Sequence, residues 1–170
     1  NLATGYPLGT PSNAPIADTD MVDVTSQILD STNTLHTGSE GWYYSFDVDG
    51  AAVNDTGEKG LAAPTVIAGT LITTSYVPDD PLLASACGAV EGSGKAYNFN
   101  ILSAGAVLDW DGTSGINDLT DRVTTLGAGI PSEAVPIFTK EGVTVLVGTG
   151  GGADNLGSAA SLPRQRTYWA

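Results

Sequence analysis

Hydrophobic positions in this chain fall in short runs, broken every few residues by glycine, proline or small polar residues. From Gly41 the runs take on strand character. Trp42-Tyr43-Tyr44-Ser45-Phe46 is aromatic-rich, and Asp49-Gly50 supplies a turn after it. Ala63 to Ile67, then Ala68-Gly69, then Thr70 to Tyr76 is rich in β-branched residues and predicts a hairpin. Between Lys95 and Leu102, Tyr97, Phe99 and Ile101 alternate with Ala96, Asn98 and Asn100. That period of two predicts a half-buried strand. Ala134 to Phe138, Lys140-Glu141-Gly142, and Val143 to Val147 form a second hairpin pattern.

The remaining segments read as connections. Met21 to Val24 and Ile28-Leu29 predict a short helix or strand. Pro78 to Gly94, Asp109 to Asp121 and the glycine-rich stretch Gly148 to Ala160 read as loops. No amphipathic pattern exceeds about two helical turns. The expected class is all-β: antiparallel sheets with long Gly-rich loops, arranged as blades of a partial β-propeller. Residues 1–17, rich in Gly, Pro, Thr and Asn, predict an N-terminal arm or linker. Residues 18–170 predict a single β domain.

Composition narrows the partners. With 170 residues the chain has length for one domain, and 41% hydrophobic residues argue against disorder. Six Lys and Arg stand against nineteen Asp and Glu, for a formal charge of −13. Such a surface lacks the cations that displace counterions from phosphate backbones, so nucleic acid and anionic membranes are poor partners. It attracts divalent cations. No run reaches the roughly 20 apolar residues of a membrane span. The opening residues lack a signal-peptide pattern, so residue 1 reads as an internal start of a processed or truncated chain. A lone cysteine, Cys87, predicts either an intermolecular disulfide or a small buried thiol.

The acidic loop is the most chemical feature. Counted from Asp109, oxygen ligands of an EF-hand-like calcium loop fall on Asp109, Asp111, Thr113, the Gly115 carbonyl, Asn117 and Thr120, with Ile116 at the apolar position. Ser114 stands where the turn glycine belongs. Position 12 is Thr120 rather than an acid, so Asp121 or Asp118 serves only if the loop bulges. The candidate calcium set is thus Asp109, Asp111, Thr113, Gly115, Asn117 and Asp121. The competing reading is a solvated loop whose Asp and Asn side chains hold local turns. Asp47-Val48-Asp49-Gly50 sits at a strand end and reads as a turn.

Other motifs fall short. Gly148 to Gly152 follows a strand as a dinucleotide loop does, but Pro163 and the chain end stand where a helix is needed. Gly92-Ser93-Gly94-Lys95 places Ala96 where a phosphate loop needs a hydroxyl. His36, the one histidine, lies in a polar loop. No nucleophile elbow or Cys–His pair is present, and the chain reads as non-enzymatic.

Several segments, in order, resemble the C-terminal propeller region of PilC/PilY-type proteins, which are pilus-biogenesis factors and tip-associated adhesins. These are Pro15 to Thr25, Gly41-Trp42-Tyr43, Gly57-Glu58-Lys59 to Pro64, and Tyr76 to Pro81. Cys87-Gly88, Gly92 to Tyr97, Asp109 to Arg122, Gly129 to Glu133, Val147 to Gly152 and Arg166 to Trp169 follow. The resemblance covers nearly everything from residue 15 onward. It implies an extracellular, cell-surface protein, exported through the periplasm, acting in type IV pilus assembly, retraction control or adhesion. It assigns no calcium to Asp109–Asp121, since the family's calcium loop lies elsewhere. A chain with strands for about two blades leaves open sheet edges. It is therefore expected to pair with pilin or other filament subunits, or with the remainder of its parent protein. One alternative is a globular pilin-like subunit that assembles along a filament with a separate short helical pilin chain. Another is a fragment of a quinone-dependent dehydrogenase-like propeller enzyme.

Overall fold

In the computed structural model the described residues are 16–30, 40–46, 57–78, 91–110, 115–116, 119–139 and 142–159. A 3₁₀ turn at Asp18–Asp20 leads into β1 (Met21–Asp23), which pairs with β2 (Gly41–Tyr43). Next come β3 (Lys59–Gly60), β4 (Thr65–Ile67), β5 (Thr70–Val77) and β6 (Ser93–Asn100). A second 3₁₀ turn at Thr120–Arg122 precedes β7 (Val123–Ala128). The last three strands are β8 (Val135–Thr139), β9 (Gly142–Thr149) and β10 (Gly152–Ala159). The all-β class expected from the sequence holds. The larger sheets are antiparallel and none closes into a barrel, consistent with part of a β-propeller. The β1–β2 pair is the exception, because it runs parallel.

The first predicted hairpin is β4–β5. Ile67 pairs with Thr70, so Ala68 and Gly69 alone make the turn, at φ 49° and 81°. Two successive positive φ values match the twist of a two-residue hairpin loop. Glycine adopts that conformation freely, and alanine does so at a steric cost. β5 carries β3 and β4 on one edge and β6 on the other, and β7 closes the path in the order β3-β5-β6-β7. β8, β9 and β10 form a separate sheet with β9 in the middle.

Both faces of the larger sheet are covered, so the half-buried β6 expected from alternation is corrected. Ala96, Tyr97, Asn98 and Phe99 are all at most 2% exposed, while Ile101 lies beyond the strand at 41%. Ala96 faces the smaller sheet, packing with Ile72, Leu126, Val145, Val147 and Leu156. Tyr97 and Phe99 point the other way, beneath the aromatic segment that follows β1–β2. The ring centroids of Tyr44 and Phe99, and of Phe46 and Tyr97, are 5.0 Å apart, and those of Trp42 and Phe99 are 5.7 Å apart. Such tilted pairs each add about 0.5–1.5 kcal/mol beyond the area they bury.

Two more corrections concern glycine and threonine. The stretch Gly148 to Ala160 was expected as a loop, yet most of it is β10. Thr149 pairs with Gly152, and Gly150-Gly151 form a tight turn. The ladder then slips between Asn155 and Ser158, where Gly157 takes φ 88°. Glycine here marks a turn and a bulge rather than the lack of a strand. β7 lay outside the predicted strands altogether. Its β-branched Val123-Thr124-Thr125 pairs with β6. The expected arm at residues 1–17, the Asp49-Gly50 turn, His36, Cys87 and the tail from residue 160 lie outside the described residues, apart from Ile16 and Ala17.

Candidate functional site

Buried groups hold the two ends of the acidic loop, at Trp110 and at Asp121. Asn98, on β6, is 0% exposed. Its amide Nδ2 donates to the Asp121 carbonyl at 2.7 Å. Its Oδ1 accepts from the backbone N–H of Val107 at 2.6 Å and of Leu108 at 2.9 Å. One side chain thus joins the approach to the loop and the return from it. The Asp121 carboxylate, 1% exposed, accepts the Trp110 backbone N–H at 3.3 Å. The Trp110 indole donates to the Leu156 carbonyl on β10 at 2.8 Å, which ties the loop to the smaller sheet.

Of the six candidate calcium ligands, the structure brings Asp109 and Asp121 to either side of Trp110. Asp109 is exposed, and Asp121 is turned inward. Gly115 is exposed, at φ 116°. Asp111, Thr113 and Asn117 lie outside the described residues. Among the described residues, no group of three or more His, Cys, Asp or Glu side chains is gathered for a metal ion.

Next to Asp121, Arg122 is buried at 3% exposure. Its guanidinium donates from Nη1 to the carbonyls of Val24 at 2.7 Å, Gln27 at 3.2 Å and Ala104 at 3.3 Å. Nη2 donates to Thr25 at 2.9 Å. The same group lies 5.3 Å from the Tyr44 ring centroid and 5.9 Å from that of Phe99. It fastens the N-terminal segment to the sheet by carbonyl capture and cation–π contact. Burial pushes the Tyr44 hydroxyl above its ordinary range, against the pull of Arg122.

A second polar knot lies on the aromatic side of the sheet. Glu58 Oε1 accepts from the Ser75 and Tyr97 hydroxyls, and Oε2 accepts from Lys95 Nζ at 2.7 Å. Three donors meet the requirement of a carboxylate whose side chain is 1% exposed. The Tyr97 hydroxyl is pushed well above its ordinary range, first by burial and then by its bond to Glu58. Nothing in the sequence pattern marks Asn98 or Arg122 as a key residue, or Glu58 as a hub, apart from their place as polar residues inside or beside strand patterns.

A cleft of about 340 Å³ lies beside the start of the acidic loop, and Asp154 lines both it and a second cleft of about 370 Å³. Asp109, Trp110, Thr124–Leu126 and Asp154–Gly157 line one; Glu91, Gly127–Ala128 and Thr149–Asp154 line the other. Compared with known protein families, with curated proteins and with solved structures, the chain has no match in any of the three.

Proposed function

We propose that this chain is a non-enzymatic binding and assembly module of a bacterial surface filament, acting as PilC/PilY-type proteins do in type IV pilus biogenesis and adhesion. The observation that carries the reading is the open smaller sheet. β8-β9-β10 is one strand short of a four-stranded propeller blade. Among the described residues no strand pairs with the outer edge of β8, and its Val135, Ile137 and Phe138 are 49%, 41% and 66% exposed. Pro136 and the strand's five residues limit backbone pairing along that edge, and its exposed apolar side chains are the surface against which another chain can pack. An extracellular filament supplies such neighbours.

Immunogold electron microscopy of cells carrying an epitope-tagged chain tests this proposal. Gold at filament tips or at the cell-surface base of filaments is the expected result. Regular gold along the fibre would mark a building block instead, and gold confined to the cytoplasm would refute the filament reading.

A further inference from the structure

We infer that the groove between β7 and β10 is a docking site for an extended, basic peptide segment of a partner protein. The first reason is which residues line it. Successive side chains on a strand point to opposite faces, so a cleft over a face is lined by every second residue. Here one cleft is lined by 124–126 and 154–157 and the other by 127–128 and 149–154, consecutive residues in each case. Consecutive lining is what a groove along a strand edge shows. β7 and β10 are the terminal strands of their sheets among the described residues, so two sheet edges border one groove. Five residues of β7 give it a length of about 17 Å.

The ends of the groove are fixed. At one end the Gly150 N–H donates to the Ala128 carbonyl at 3.2 Å; at the other the Trp110 indole holds the Leu156 carbonyl. The backbone between these points is the part that borders the opening. A peptide strand is the ligand whose own N–H and C=O groups match such an edge.

Charge selects the kind of peptide. Glu91 lies toward the Gly150 end, Asp109 toward the Trp110 end, and Asp154 lines both clefts. No lysine, arginine or histidine lines either cleft among the described residues. Lysines or arginines spaced along a strand would meet these carboxylates in turn, which favours fast encounter and rejects acidic partners. A second copy of this chain is a poor occupant, because each copy carries a formal charge of −13. The inference is separate from the filament proposal: microscopy tests where the protein works, and peptide binding tests what this groove holds.

The probe is a synthetic nonapeptide alternating lysine with valine or threonine. Two controls accompany it: glutamate in place of lysine, and proline at alternate positions to abolish strand pairing. Binding to the full chain is followed by tryptophan fluorescence and by hydrogen exchange of the backbone amides. The lysine peptide is expected to bind, to weaken at least tenfold between low and physiological salt, and to protect amides within 124–128 and 153–157. The glutamate and proline peptides are expected to bind at least tenfold more weakly. The double variant E91Q/D154N should lose most of the affinity at an unchanged melting temperature. No binding, equal binding of the glutamate peptide, or binding without protection of those amides would overturn the inference.

Discussion

Replacing Arg122 by methionine tests how the N-terminal segment is held. The substitution removes a charge and keeps apolar bulk, so the recipient carbonyls stay behind without their donor. Thr25 and Gln27 lie toward solvent, where their carbonyls regain water. Val24 and Ala104 are both 0% exposed, and theirs do not. The Val24 carbonyl keeps the Gln27 N–H at 3.4 Å, whereas the Ala104 carbonyl loses its donor at a cost of about 1–3 kcal/mol. Losing the contacts to Tyr44 and Phe99 costs about 1 kcal/mol each. Methionine recovers part of the penalty of burying a charge, which leaves a net loss of about 3 kcal/mol. Against a typical stability of about 5–15 kcal/mol that is a large share. At roughly 2–4 °C per kcal/mol for a chain of this size, the melting temperature should fall by about 10 °C.

The loss should also be local. Hydrogen exchange should speed first across Met21–Leu29, whose carbonyls Arg122 holds, and only later in β5 and β6. R122K should fall between parent and R122M, because an ammonium lacks the planar fork that reaches five carbonyls, Leu119 through Nε among them, and stacks on rings. An R122M protein melting within about 3 °C of the parent would refute the carbonyl-capture account.

Three further predictions concern single groups. N98D sets a carboxylate against the Asp121 carbonyl where an amide donated. It should cost about 3 kcal/mol and open the 109–121 loop to protease, and unchanged cleavage there would count against the clamp. Y97F should alter alkaline unfolding. The folded Tyr97 hydroxyl is held above its ordinary range by burial and by Glu58, so the stability tied to its proton is complete below about pH 10, where a free tyrosine begins to ionise, and is lost as pH rises beyond that. Y97F should flatten that alkaline limb in a pH series of melts, and an identical limb in parent and variant would refute the assignment. A68N places asparagine, which tolerates positive φ, at φ 49° in the two-residue turn. The melting temperature should rise by about 1–3 °C, for a gain of about 0.5–1 kcal/mol, and a fall would refute the turn assignment.

What the sequence revealed followed from which forces act locally. The β4–β5 hairpin was legible because its turn and its β-branched flanks are neighbours in the chain. β6 was legible as a strand, but not its two-sided burial. Asn98 looks like a solvent-facing residue until Asp121, Val107 and Leu108 are brought against it, and no window of neighbouring residues shows that. β10 was hidden because Gly150, Gly151, Gly152 and Gly157 lower strand propensity, while its pairing with β9 outweighs that deficit. Arg122 stands at the end of an acidic loop, where a surface cation is the ordinary reading. Its true partners lie about 95 residues away at Val24, Thr25 and Gln27. The acidic loop itself was read as a ligand series. The structure places Asp121 inward as a clamp for Trp110 and leaves Asp109 on the groove wall.

The buried knots and the open groove divide the molecule into a part that must not change and a part that can. Asn98, Arg122, Glu58 and Tyr97 each satisfy several buried polar groups, and each sits on or against the twice-covered sheet. Opening that sheet would strand all of them at once, so its core strands should unfold only with the whole domain. The borders of the groove carry no such burden. Thr125 and Gly127 are exposed, Asp154 is half-buried, and the two bonds at the groove's ends are made by Gly150 and Trp110. A partner strand can therefore enter or leave without disturbing the knots that keep the two sheets in register, at the ordinary cost of its own lost freedom and of desolvating the edge. Edge strands elsewhere are blunted by lysine, proline or short length. β7 and β10 carry neither lysine nor proline and run six and eight residues. The bulge between Asn155 and Ser158 blunts the far end of β10, so the regular stretch that borders the groove is Gly152–Asn155, beside the carboxylate of Asp154.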